Sequence, residues 1–143
     1  MRIREAVSAD AEALVGLFAD WGHPQPAAVI ATQLAEFDAI ALAAVIVAEI
    51  DADIAGLVAV VALPHLARPG RFARLAGLVV SGAHRRLGVG RALMSAAEDQ
   101  AREWGCDRLE LTSSRWRDEA HAFYPALGYT ELSAQQARYR REL

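Results

Sequence analysis

The stretch RRLGVGRALM, Arg85 to Met94, follows the apolar run AGLVVS, Ala76 to Ser81. Such a run predicts a strand, here the end of a longer one spanning Phe72 to Val80. Beyond the glycines, Val89, Leu93, Ala97, Ala101 and Trp104 recur at helical spacing. The stretch is therefore a strand-to-helix turn. The first N–H groups of a helix have no partner inside it, and the helix dipole favours an anion at that end. Gly88 and Gly90 let a ligand approach the backbone, and Arg85, Arg86 and Arg91 add full charges. A phosphate or pyrophosphate suits such a turn. Taken alone, G-x-G reads first as an ordinary turn flanked by solvated arginines. A dinucleotide fingerprint requires a third glycine, and position 93 is Leu.

Working outward, Ile3 to Ala6 predicts a short first strand. Ser8 suits a helix cap before Leu14, Leu17 and Phe18. The loop WGHPQP, Trp21 to Pro26, leads to a second helix carrying Val29, Ile30, Leu34 and Phe37. Ala44–Ile50 and Ala55–Leu63 read as strands joined by a hairpin at DAD. After the strand, turn and helix of the opening stretch, Gly105 suits a helix end, and Leu109 and Leu111 mark another strand. Asp118 to Ala126 reads as a short helix with Gly128 beyond it. Thr130–Leu132 and Ala137–Arg141 are expected as two closing strands. The order is β-α-α-β-β-β-α-β-α-β-β. It predicts an α+β fold with a mixed, mostly antiparallel sheet and helices on both faces.

The 143 residues are expected to form a single domain, residues 1–143. No apolar run reaches the length of a membrane span, and MRIREAVSAD lacks an apolar signal core, so a soluble cytoplasmic protein is expected. The net charge of −3 gives no bulk attraction to nucleic acid or anionic lipid. All 15 basic residues are arginine. Lacking lysine, the chain can hold neither a Schiff-base lysine nor a G-x-x-x-x-G-K phosphate loop. The single cysteine, Cys106, excludes an internal disulfide and reads as a core residue. The four histidines are scattered, and no metal site is expected.

Arg85-x-x-Gly88-x-Gly90 resembles the R/Q-x-x-G-x-G/A signature of the GNAT superfamily of N-acetyltransferases. A second block, Ala120-His121-Ala122-Phe123-Tyr124-Pro125-Ala126-Leu127-Gly128-Tyr129, resembles that family's A-x-x-F-Y-x-x-L-G-F/Y segment. IREAVSADAEAL is similar to a common opening of the superfamily, and the element order agrees along nearly the whole chain. The resemblance implies acetyl-CoA as co-substrate. Backbone groups of Arg85, Arg86, Leu87, Gly88, Val89, Gly90 and Arg91 would wrap its pyrophosphate. Those of Leu78, Val79 and Val80 would bond the pantetheine arm like an added strand. Ser114, where many members have asparagine, would touch the cofactor. A homodimer is common in the superfamily.

The same resemblance implies direct attack of a primary amine on the thioester. A backbone N–H near Val79 or Val80 would serve the oxyanion. Tyr124 would protonate or position the leaving thiolate, since a phenol with a pKa of about 10 keeps its proton at neutral pH. The base is open. Relatives often carry glutamate in an E-x-E-x-L-V-V-like run, whereas this chain has Arg74-Leu75-Ala76-Gly77-Leu78-Val79-Val80. Glu110, His121, His23 or water remain as candidates, with structural roles the default for the three side chains. Trp21, His23 and Phe72 are candidates for shaping an acceptor pocket. Arg74 pointing into it would favour an acceptor bearing a carboxylate or phosphate. The leading expectation is N-acetylation of a small-molecule amine. Acetylation of a peptide or protein amine, a non-catalytic acyl-CoA-binding or regulatory module, and a generic nucleotide binder are the alternatives.

Overall fold

The structure is a computed structural model that describes residues 1–113 and 118–143. The chain forms two compact units, Met1–Leu111 and Thr112–Leu143. The first holds a five-stranded sheet of β1 (Arg2–Glu5), β2 (Ala43–Ile50), β3 (Asp53–Pro64), β4 (Arg71–Val80) and β5 (Cys106–Glu110), in that spatial order. β1 to β4 pair antiparallel, and β5 joins parallel to β4. The parallel step requires a crossover, which α3 (Val89–Glu103) supplies. The other helices of this unit are α1 (Ala11–Asp20) and α2 (Ala27–Asp38).

β3 lies in the middle of the sheet, and its apolar run is buried continuously from Ala55 to Val60. It needs no polar face because helices cover both sides. On one side Ala55, Val58 and Val60 meet Val89, Leu93, Ala97 and Ala101 of α3. On the other, Leu57 and Val79 meet Leu14 and Leu17 of α1 and Ile30 and Leu34 of α2. The α3 stripe is the one its periodicity predicts. Val29 of α2 falls outside the apolar stripe and is exposed.

The hairpin between β2 and β3 turns through Asp51 and Ala52, with Ile50 paired to Asp53. Both turn residues are left-handed, at φ 50° and 70°. This is the type I′ pattern, whose twist matches that of the flanking strands. Ser8, expected as a helix cap, instead opens a 3-10 turn, Ser8–Asp10. The Asp10 carboxylate closes that turn by accepting from the Val7 N–H at 2.7 Å. Asp10 also accepts two hydrogen bonds from Arg4, each 2.8 Å, and Arg4 donates to Glu49 at 2.6 Å. A carboxylate has the lone pairs for all three donors, which a hydroxyl at Ser8 does not.

The second unit contains α4 (Asp118–Ala126). Thr130–Leu132 and Ala137–Arg141 do not form the expected closing strands. Residues 133–135 make a turn instead, with the N–H groups of Gln135 and Gln136 donating to the Leu132 carbonyl. The sequence ARYRR, Ala137–Arg141, offers a sheet little apolar surface to bury, and Tyr139 is 91% exposed.

Two stability predictions follow from these turns. Ala52→Gly relieves a left-handed alanine and should stabilise the protein by about 0.5–1 kcal/mol, after the entropy glycine adds to the unfolded chain. Urea unfolding with an unchanged m-value would show it, and a loss of stability would contradict a type I′ turn. The Arg4 hydrogen bonds hold both Asp10 and Glu49 below the usual carboxylate range. Their contribution is therefore complete above the unfolded-state values and lost as pH falls through the lower folded-state ones. Stability should fall as pH drops below the ordinary carboxylate values of about 4, and Asp10→Asn should flatten that fall. An unchanged acid profile in Asp10→Asn would exclude Asp10 as a source.

Candidate functional site

β4 is paired to β3 along its whole length, from Arg71 opposite Pro64 to Val80 opposite Gly56. Its other edge meets β5 only through residues Arg71 to Arg74. From Leu75 to Val80 that edge has no strand partner among the described residues. The Ser81 N–H reaches the Ala55 carbonyl at 2.8 Å, which fixes the phase of the ladder. Antiparallel alternation then turns the backbone groups of Gly77 and Val79 inward to β3 and those of Leu78 and Val80 outward. An extended chain of amides could add to this edge over about 20 Å.

The turn after β4 continues from this edge. Ser81 caps a 3-10 turn, Gly82–His84, by accepting from the Ala83 N–H at 3.3 Å. Arg85 is extended, Arg86 is left-handed at φ 63°, and Gly88 is left-handed at φ 77°. Left-handed residues in such a turn aim N–H groups into a concavity that holds anions. The first hydrogen bond of α3 runs from the Ala92 N–H to the Gly88 carbonyl at 3.0 Å, so the N–H groups of Val89, Gly90 and Arg91 precede the helical ladder. Arg86 and Arg91 are exposed and form no ion pair among the described residues. His84 Nδ1 is buried in the same turn with no hydrogen-bond partner among the described residues. Donors, full charges and an adjoining amide edge fit a phosphate-bearing ligand with an amide-containing arm, as coenzyme A is.

The helix is seated close enough to the sheet to hold this geometry because Gly56 has no side chain. A Cβ there would lie 2.8 Å from the Val79 carbonyl oxygen and 2.9 Å from the Val89 and Leu93 side chains. Mid-strand glycines mark such close approaches, so Gly56 carried a readable signal that motif reading passed over.

The model of the acetyltransferase (GNAT) family matches residues 10–129. The chain belongs to this family. No curated protein matches the sequence. Among solved structures, a transcriptional regulator from Bacillus halodurans C-125 is 26% identical, with a TM-score of 0.87 over 99% of each chain. The aminoglycoside antibiotic 6'-N-acetyltransferase AAC(6')-IG from Acinetobacter haemolyticus is 21% identical, with a TM-score of 0.82 over 100% of this chain and 99% of that one. AAC(6')-Iy, solved with a bisubstrate analogue of CoA and acetylneamine, is 20% identical, with a TM-score of 0.81 over 99% and 97% of the two chains.

In this GNAT chain the structure gathers Leu78, Val79, Val80 and Arg85 to Arg91 at one end of the sheet. Ser114 lies outside the described residues. Tyr124 belongs to the second unit, half-buried on α4, with its ring 5.2 Å from Phe123 and 5.9 Å from Tyr129. The F-Y-x-x-L-G-Y block has a local cause. Gly128, left-handed at φ 93°, lets the Tyr129 N–H return to the Tyr124 carbonyl at 3.1 Å, and its own N–H reaches the Pro125 carbonyl at 3.0 Å. This closes the helix as a Schellman motif and brings the two tyrosine rings together.

The candidate bases find different surroundings. Glu110 on β5 is ion-paired with Arg108 at 3.0 Å, as a structural carboxylate would be. His121 is exposed on α4. His23 is exposed beside Trp21, at a ring separation of 5.4 Å. Cys106 packs against the α3 core, and burial pushes its thiol up, so it is not a poised nucleophile. Among the described residues no cluster of three or more metal-ligating side chains exists, and no helix is long and apolar enough to cross a membrane.

Of the three residues expected to shape an acceptor pocket, Trp21 and His23 are in ring contact and Phe72 lies apart from them. Phe72 lies at the far end of β4, between His65 (5.2 Å) and Arg108 (5.6 Å), about 16 Å along the strand from Gly77. Trp21 instead lies on Gly77, where a Cβ would be 2.3 Å from the indole. Its neighbour Asp20 accepts from the Gly82 N–H at 3.1 Å, tying the end of α1 to the turn after β4. Asp20 gave no signal in sequence, because the contact joins segments 62 residues apart.

The Trp21 contact is testable by a double-mutant cycle. Gly77→Ala should cost about 1–3 kcal/mol, as overpacking does, and much less in a Trp21→Ala background. Equal costs in the two backgrounds would show that the indole does not rest there.

Proposed function

We propose that this chain transfers an acetyl group from acetyl-CoA to a primary amine of a small molecule. One observation carries the reading: a turn with left-handed residues and N–H groups ahead of the helical ladder adjoins a strand edge with no strand partner among the described residues, a combination suited to a pyrophosphate followed by an amide-bearing arm. The bisubstrate complex of a neighbour of the same fold supports it. Bound there, the thioester supplies an activated acetyl carbonyl. The backbone N–H groups of Arg85 to Arg91 hold the pyrophosphate, with Arg86 and Arg91 adding charge. Leu78 and Val80 present outward amides to the arm. At the end of the arm farther from the turn, the outward Leu78 N–H is the donor for negative charge developing on the acetyl oxygen. Tyr124 gives its phenolic proton to the departing thiolate. As the C–N bond forms and the C–S bond breaks, the amine's proton passes to water and Tyr124 regains its own from solvent, because Arg74 stays charged and Glu110 is engaged by Arg108.

Calorimetric titration with acetyl-CoA, with NADH and ATP as controls, tests the pocket. Selective binding that Gly90→Asp weakens at least about tenfold is expected, because a carboxylate then faces the N–H groups that hold the anion. Tyr124→Phe should leave that affinity unchanged and lower kcat about 100-fold. No binding at millimolar acetyl-CoA would overturn the function. Tight binding without turnover across a broad amine panel would instead make the chain a non-catalytic acyl-CoA module.

A further inference from the structure

β4 carries an irregularity between the residues facing Ala59 and Val60, where Gly77 and Leu75 are the successive partners. Ala76 is thus an extra residue, a β-bulge. Its effect is seen in which side each neighbour faces. Ala73, Leu75, Leu78 and Val80 all pack on the α3 side. Val79 packs on the α1/α2 side, and Gly77 meets Trp21 there. Arg74, between Ala73 and Leu75, points to that same α1/α2 side. In a regular strand, residues three apart point to opposite sides. The bulge places Arg74 and Gly77 on one side, about 10 Å apart along the strand.

This point is also where β4 and β5 part. Arg74, opposite Glu110, is the last β4 residue paired to β5, and the open edge begins at the next residue. The edge along which the proposed ligand would lie therefore stops at Arg74, on the side of the sheet where Trp21 covers Gly77. The other arginines nearby are occupied. Arg68 pairs with Asp107 at 2.8 Å, Arg71 donates to the Trp104 carbonyl at 2.8 Å, and Arg108 pairs with Glu110 at 3.0 Å. Arg74 is exposed and has no anionic partner among the described residues, although its cross-strand neighbour Glu110 is an acid.

We infer that Arg74 is a specificity-determining residue that binds an acid group, a carboxylate or phosphate, of the amine acceptor. This rests on the acetyl-transfer reading above and adds the class of acceptor. The planar guanidinium takes a carboxylate or phosphate in a two-pronged hydrogen bond, and Trp21 offers an apolar wall to the acceptor's body.

The test measures initial rates for the full chain with acetyl-CoA and matched amines. Amino acids are compared with their amides, and O-phosphoethanolamine with ethanolamine, which separates carboxylate from phosphate. The wild-type protein should favour an acid-bearing member by about 10- to 100-fold in kcat/KM, the range a charge-assisted hydrogen bond supplies. Arg74→Gln should abolish that preference mainly through the acceptor KM, with acetyl-CoA affinity unchanged. Arg74→Lys should restore part of it. Equal rates for matched amines, or a preference that survives in Arg74→Gln, would overturn the inference while leaving acetyl transfer standing. Acetyl-CoA binding with no turnover of any amine would overturn the transfer reading and this inference with it.

Discussion

β4 is hydrogen-bonded to β3 for its whole length but to β5 for only its first few residues. Everything at the candidate site depends on that asymmetry. A strand paired on both edges has no amide to offer, and a strand unpaired on both would not hold its place. Here one edge fixes β4 in the sheet while the other has no strand partner from Leu75 to Val80 among the described residues. The turn that follows inherits a fixed starting point, because the Ser81 N–H is still held by Ala55.

Close packing keeps the open edge and the turn in register with the rest of the first unit. The missing side chain of Gly56 lets Val89 and Leu93 sit down on β3, which sets where α3 begins. The missing side chain of Gly77 lets Trp21 lie on β4 from the opposite side. Asp20 then links the end of α1 to the Gly82 N–H. Each tie is small, but they converge on β4 and the residues just after it, from both faces of the sheet. Protein interiors resist the displacement of even one methyl group, so these contacts hold the donors of the turn in fixed positions.

Much of this was legible in the residues. The α3 stripe, the central apolar strand and the Gly88/Gly90 turn all declare themselves through periodicity or through glycine placed where backbone must be free. The closing strands did not form because ARYRR and TEL have some alternation but almost no apolar surface, and alternation alone does not bury a face. The bulge at Ala76 has only a faint mark, the glycine beside it at 77, and its place follows from how β4 must fit β3. Without it, the side on which Arg74 lies could not be read by counting along the strand. Asp20 and the seat of Trp21 were hidden for a related reason, since both join distant segments. Sequence reading located the turn and missed the contacts that brace it.

The arginines of the turn have a further consequence. No side chain among the 143 residues carries a primary amine, since every basic residue is arginine. A guanidinium keeps its proton, and with it its lone pair withheld, across the whole pH range in which proteins work. An acyl donor held between Arg86 and Arg91 would therefore lie among cations that bind it without being able to attack it. On the proposed reading, the charges that gather the acyl donor could not be consumed by it.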